Sequence, residues 1–359
     1  MRNWTALFLT VVFFSSCHTT DHQQRLNIVS PAADEKQNAA HYYEAAAQAI
    51  VPLAEEIRKQ NAVLDQAIHN GWTPETAASA EELLRKSDFA LSLFRQGTEI
   101  QAANLNFSRQ DDVKPTTSPA CLELKWLATL LLVKAKQMEN AGLSAEAVKL
   151  YINTLRFVDY LGRDPQTLSK VTALAVEKNI CLAVRQAAEK KILDRRDRNA
   201  LRENLLIFRK AHFPATDFVD AEQSFFMETI RTLAEEAQKS APSKNFPSQR
   251  LIQKAGLLCD QYNENWRRAL ETNAPADWEK ANAVTAVLKT RIDSKYSNLT
   301  ELTGRFLVNS LLGKTEENQG LVMDQVVTYL YVIALANYQK MSDLYRDASQ
   351  TLDAAIRLL

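Results

Sequence analysis

The residues able to do covalent or metal chemistry are few. There are four cysteines (Cys17, Cys121, Cys181, Cys259) and five histidines (His18, His22, His41, His69, His212) in 359 residues. His18 and His22 stand four apart with Asp21 beside them, enough for a weak metal site at most; a polar tether with incidental histidines is the expectation. No HExxH occurs, and no Glu-x-x-His of the kind di-iron bundles use. The phosphate loops GxxxxGK[ST] and GxGxxG and the nucleophile elbow GxSxG are also missing from the sequence. Adjacent carboxylates at Glu55-Glu56, Glu81-Glu82, Glu235-Glu236 and Glu316-Glu317 diverge on a helix and read as solvated, not as acid–base dyads. These patterns assign no catalytic residue, no metal and no cofactor, and the expectation is a protein that is not an enzyme.

Beyond the leader, Cys121, Cys181 and Cys259 lie in apolar contexts (PACLEL, KNICLAV, GLLCDQ). Three is odd, so at most one bridge forms. Buried, reduced thiols are the expectation, with Cys121–Cys181 as the alternative pairing. Two clusters are candidates for recognition. Tyr262, Trp266, Arg267, Arg268 and Trp278 are the densest aromatic–arginine group, a composition enriched at binding hot spots, although aromatics at helical spacing more often face a core. Lys190, Lys191, Arg195, Arg196, Arg198 and Arg202 form a basic stretch suited to anionic lipid head groups or cell-wall polymer. Glu189, Asp194, Asp197 and Glu203 interleave with it, so a solvated face laced with i,i+4 pairs is expected.

The start of the chain has a tripartite pattern. Met1-Arg2-Asn3 carries one positive charge, Trp4 to Phe14 (WTALFLTVVFF) is uncharged, and Ser15-Ser16-Cys17 follows directly. Eleven helical residues rise about 16 Å, too little to span roughly 30 Å of hydrocarbon. The shape is that of a secretory signal peptide. Small residues before a Cys at the end of the apolar run resemble the lipobox of bacterial lipoproteins, with Phe14 where that family usually has Leu. The resemblance implies a diacylglycerol on the Cys17 thiol, cleavage before Cys17, and acylation of the new amino group. His18, not Asp, follows Cys17, where that family's inner-membrane retention Asp would stand, so the resemblance implies the periplasmic face of the outer membrane. Two or three acyl chains make an anchor that holds, where one is marginal. His18 to Ala33 is polar, contains a Pro and reads as a tether.

The body that follows must be helical. Gly and Pro (8 and 10 residues) make up about 5% of the chain against roughly 12% in average usage, too few for the turns of a sandwich, barrel or Rossmann fold. No strand-like alternation or Asn-Gly hairpin signal appears. Lys+Arg 43 against Asp+Glu 43 gives net zero, without the basic excess a nucleic-acid binder needs. Punctuation divides the helices: a break near Pro52, stops at Gly71, Gly142 and Gly162, and caps at Thr73-Pro74, Ser118-Pro119, Ser144 and Asp194. Phe107 to Ser118 reads as a loop, and helices are expected near 276–312 and 318–359 with a break around Asp293 to Asn298. In the last of these Val322, Val326, Tyr329, Leu330, Ile333 and Ala336 make one apolar stripe.

Trp126, Leu127, Ala128, Leu132, Ala135, Ala141, Gly142, Ala147 and Tyr151 resemble a tetratricopeptide unit, and Asn38-Ala39-Ala40, Tyr42-Tyr43 and Ala45 the second half of another. The closing Pro comes late, at Pro165, and no 34-residue period is sustained, so an irregular helical bundle stays open as the alternative. The expected fold is all-α, built from stacked antiparallel helical hairpins. The expected organisation is 1–16 signal peptide, 17–33 lipidated Cys and tether, 34–240 hairpin domain and 241–359 C-terminal helical region, with Ser240 to Ser248 as the boundary. The expected function is an envelope-anchored scaffold for a protein or peptide partner. The alternative is a periplasmic helical enzyme or small-ligand binder with its site between helices.

Overall fold

The computed structural model describes residues 38–100, 121–240, 248–290, 327–328, 330–332 and 338–359. These residues form an all-α protein with no strand among them. Cys17, His18, Asp21, His22, the 107–118 loop and most of the 322–336 stripe lie outside the described residues, as do residues 241–247 and 291–326. Among the described residues no helix is long and apolar enough to cross a membrane.

The chain divides into two compact units, one drawn from Met1–Asp164, Leu168–Phe213 and Leu344–Leu359, the other from Pro165–Thr167 and Pro214–Asp343. The helices on either side of 241–247 belong to the same unit, and the chain passes between units at Asp164–Pro165, Thr167–Leu168, Phe213–Pro214 and Asp343–Leu344.

The first unit opens with α1 (Ala39–Ile50), capped by Asn38, whose side chain accepts from the Ala40 N–H. Pro52 has no N–H to donate, and a 3-10 turn over Val51–Leu53 separates α1 from α2 (Ala54–Asn70). Gly71 ends α2 at φ +87°, a conformation that suits glycine. Thr73 and Thr76 form a reciprocal capping box, and Pro74 starts α3 (Pro74–Lys86). Ser87 then leads into α4 (Asp88–Glu99).

α5 (Cys121–Asn140) is buried almost all round, from Trp126 through Val133, because α1, α2, α3, α4 and α6 all touch it. It ends in a Schellman motif: Leu143 N–H donates to Met138 C=O (2.9 Å), Gly142 N–H donates to Glu139 C=O (3.0 Å), and Gly142 takes φ +76°. That tight turn folds α6 (Ser144–Arg163) back along α5. Ser144 is the first helical residue and makes no cap; Leu143 occupies the cap position. Gly162, expected as a stop, lies inside α6. Its role is close approach, since a Cβ there would sit 2.8 Å from Phe213 Cδ1.

α7 (Thr167–Glu189) ends at Lys191, a non-glycine residue at φ +56°. α8 (Arg195–Ala211) starts from Asp194, whose Oδ1 accepts from the Asp197 N–H at 2.7 Å. The core of this unit centres on Tyr43, Phe94 and Phe157, with ring centroids 4.8–5.4 Å apart in tilted and edge-on pairs. Gly97 lets α4 cross α1 at this cluster, since a Cβ there would lie 2.9 Å from Tyr43 Cε1.

The second unit contains α9 (Asp217–Ser240), α10 (Ser248–Thr272) and α11 (Pro275–Thr290), packed in sequence order. Its core gathers Phe226, Tyr262, Trp266, Tyr331 and Tyr338. α12 (Tyr338–Leu358) gives its first residues to this unit and the rest, from Leu344, to the first.

Candidate functional site

The three cysteines sit where their apolar contexts suggest, whereas lysine, histidine and carboxylate groups are brought together across helices in ways that local pattern does not show. Cys121, Cys181 and Cys259 are each a buried thiol, and the alternative Cys121–Cys181 bridge is not formed. Cys121 Sγ sits 3.6 Å from Ser169 Oγ. Burial pushes the Cys181 thiol well above its ordinary range and Cys259 up to about 12, so neither supplies a thiolate at neutral pH.

Lys136 is buried between α5, α6 and α7. Its Nζ donates to Glu139 Oε2 (2.9 Å), Ala183 C=O (2.7 Å) and Gln186 Oε1 (2.6 Å). Tyr151 OH donates to the other Glu139 oxygen at 2.6 Å. Gln186 Nε2 and Lys190 Nζ reach the Asn70 carbonyl, one of the C=O groups that the end of α2 leaves without a helical partner. Burial holds the Lys136 ammonium below its usual pKa while Glu139 opposes that shift. All three ammonium hydrogens have acceptors, so this network joins helices and leaves no donor for a substrate.

The second polar assembly lies at the end of α8. His212 Nε2 is 2.8 Å from Glu177 Oε2, and His212 Nδ1 faces the Phe213 carbonyl (3.1 Å) and Tyr345 OH (3.3 Å). The imidazole stacks on Phe213 and meets Phe208 and Tyr345 edge-on. Burial pulls the His212 pKa down, but the Glu177 carboxylate, as acceptor and as charge, outweighs it and the net shift is upward. Glu177 Oε1 is buried with no hydrogen-bond partner among the described residues. A buried carboxylate orienting an imidazole is the arrangement of a general base. The cavity beside it, between Val158, Gly162, Phe208 and Phe213, is only about 10 Å³, about the room one water needs.

In the second unit the five predicted recognition residues separate. Tyr262 and Trp266 are buried, at 8% and 2% exposure, and Trp266 packs on Trp278 and Tyr338. Arg267 is tied to Asp220 at 2.5 Å and Arg268 to Asp277 at 3.0 Å. The aromatic spacing serves the core, as aromatics at helical spacing more often do, and the five residues do not share one exposed surface. Also buried here is Glu222, whose carboxyl is pushed up to about 7 by burial.

No protein-family model, curated protein or solved structure matches the chain.

The basic stretch resolves differently again. α8 buries Asp197, Leu201, Leu205 and Phe208 on one side. The opposite side exposes Arg195, Arg196, Arg202 and Lys210, with Ile207 at 60% exposure among them. The i,i+4 pairs expected to lace this face are not made: among the described residues Arg195, Arg196, Arg198, Arg202 and Lys210 form no ion pair. Arg209 differs, bonding Asp353 at 3.1 Å. An open depression of about 430 Å³ lies along Asn199, Arg202, Glu203, Leu206, Ile207 and Lys210. The sequence signalled the cations, but not that they would be left unpaired.

Proposed function

We propose that this chain is a lipid-anchored protein of the bacterial cell envelope whose helical body is an interaction scaffold for a protein or peptide partner. The observation that carries it is the uncharged run Trp4 to Phe14 followed directly by Ser15-Ser16-Cys17. In this reading the acyl chains sit on Cys17, and His18 in the next position favours the periplasmic face of the outer membrane. The tetratricopeptide-like reading is supported by α5 and α6. Ala128, Ala135 and Ala147 are each fully buried there, and Tyr151 is buried with them, the small-plus-bulky pairing such hairpins use.

The test is intact-mass measurement of chain extracted from membranes, beside a Cys17→Ala variant. Expected are loss of residues 1–16, added mass of a diacylglyceryl group, and release of the variant from the membrane fraction. A bare thiol or a retained leader overturns the anchor. Crosslinking in intact envelopes is expected to trap a recurrent protein partner with wild type; its absence overturns the scaffold.

The second reading, a helical enzyme or small-ligand binder, is favoured by one observation, the Glu177–His212 pair. In that reading His212→Gln abolishes turnover or ligand binding while the fold persists.

A further inference from the structure

We infer that the outer face of α8 is a docking surface for anionic phospholipid head groups, so that the body lies against the bilayer as well as being tied to it. This rests on the anchored reading above for its setting, but on separate observations for its substance.

Charge complementarity is the first. Arg195, Arg196, Arg202 and Lys210 are exposed on the side of α8 away from the core. Around the helix, Arg202, Arg195, Leu206, Asn199, Lys210, Glu203 and Arg196 follow one another within roughly a third of a turn, at 100° per residue. Glu203 is the one acid in that arc. The acids at the start of α8 are used elsewhere. Asp194 caps the helix through Asp197 N–H, and Asp197 is itself buried. Arg198 adds a further cation without an ion pair among the described residues, on the flank of the same face. Five cations on α8 form no ion pair among the described residues, and only Arg198 has an acid four residues away, the capping Asp194, so the charge of this face is available for an outside partner.

The apolar part of the face favours a bilayer over a soluble polyanion. Ile207 is 60% exposed and Leu206 is half-buried, and both lie beside the depression that Arg202 and Lys210 border. Short apolar contacts entering the head-group boundary, with Arg and Lys reaching outward to phosphates, are how interfacial helices hold a membrane. A nucleic acid supplies the phosphate but gives Ile207 no hydrocarbon to enter. Reach is satisfied too: twenty residues separate Cys17 from Asn38, a span of at most about 75 Å when extended. With the lipid in place the body is held close to head groups, so weak contacts suffice.

The probe is the mature chain, residues 17–359 carrying Cys17→Ala, which lacks both the apolar leader and the lipid and leaves α8 intact. Its partition is measured on vesicles of phosphatidylcholine alone and of phosphatidylcholine with roughly one phosphatidylglycerol in three lipids. The comparison is between this chain, the same chain with Arg195→Glu, Arg202→Glu and Lys210→Glu, and a control with Arg58→Glu, Lys149→Glu and Arg163→Glu. The control changes net charge equally at exposed cations that are already paired. Helical content by circular dichroism and the thermal midpoint verify that each variant folds; a triple that fails either check is replaced by the single variant Arg202→Glu read against Arg163→Glu.

Expected is a preference for the anionic vesicles that the α8 triple lowers by about a hundredfold, three cations at roughly a factor of five each. The control keeps most of it, and salt well above physiological strength removes it. Equal loss in both triples, no loss in either, or equal binding to neutral and anionic vesicles overturns the proposal. So does tighter binding to polyglutamate or duplex DNA than to the vesicles, which would assign the face to another class of partner. A bare Cys17 thiol in native material with the anionic preference intact removes the anchor and leaves this surface standing.

Discussion

His212 Nε2 and Glu177 Oε2 meet at 2.8 Å although the residues are 35 apart in sequence. The contact fastens the end of α8 to the middle of α7, and Tyr345 closes over the other side of the ring. The Glu177 side chain is fully buried, so removing the imidazole leaves a carboxylate away from water with nothing to bond. His212→Ala is expected to destabilise the protein by about 2 kcal/mol, read from urea unfolding.

The same pair sets a pH dependence. The folded pKa of His212 lies above its ordinary value, with Glu177, the Phe213 carbonyl and Asp159 favouring the charged ring against the cost of burial. The stabilisation is therefore fully present below the unfolded histidine value. It is lost as pH rises through the folded value. The thermal midpoint is expected to fall across that window in wild type and to lose this component in His212→Gln. An unchanged slope in the variant would show that the pair does not carry the effect.

Lys136→Met removes an ammonium with three acceptors and leaves the Glu139 carboxylate buried with one donor, Tyr151. A loss of about 3–5 kcal/mol is expected. Adding Glu139→Leu and Tyr151→Phe is expected to restore most of it, since apolar replacement of a whole buried network costs far less than breaking it. The measurement is denaturant unfolding of the single and the triple variant beside wild type.

Glu222 in the second unit works in the same direction as His212. Burial raises its folded pKa to about 7 from an ordinary 4.5, so folding favours the protonated carboxyl. Stability from this group is complete below about pH 4.5. It is lost as pH rises through about 7, a total of roughly 3 kcal/mol. Glu222→Gln keeps a neutral side chain of the same shape and is expected to flatten that slope, read by unfolding at a series of pH values.

Trp266 and Arg268 sit two residues apart on α10 and are expected to behave as opposites. Trp266→Ala empties a core position of 2% exposure and is expected to cost about 3–5 kcal/mol. Arg268 has 64% of its side chain exposed, and its pair with Asp277 is a surface one, so Arg268→Ala is expected to cost under about 0.5 kcal/mol. Comparable losses at both positions would contradict the separation of these residues into core and surface.

The sequence by itself determined the helical class and most helix ends that it could punctuate. Gly71, Gly142, Thr73-Pro74 and Asp194 act within one turn of chain, through positive φ, a missing N–H or a side chain reaching three residues ahead. Such signals survive in a linear string because the physics is local. The three- and four-residue spacing of Leu124, Leu127, Leu131, Ala135 and Met138 also marks one inward face; the first four are buried and Met138 is partly buried against the same core. Tertiary structure alone decided which groups meet. Lys136 lies 47 residues from the carbonyl it holds, and no periodicity announces that pairing. Trp266 turned inward, and Arg195, Arg196 and Arg202 stayed outward and unpaired while Arg209 met Asp353, because burial and ion pairing depend on which neighbouring helix covers a face. Helical spacing fixes which residues share that face, but not what is brought against it.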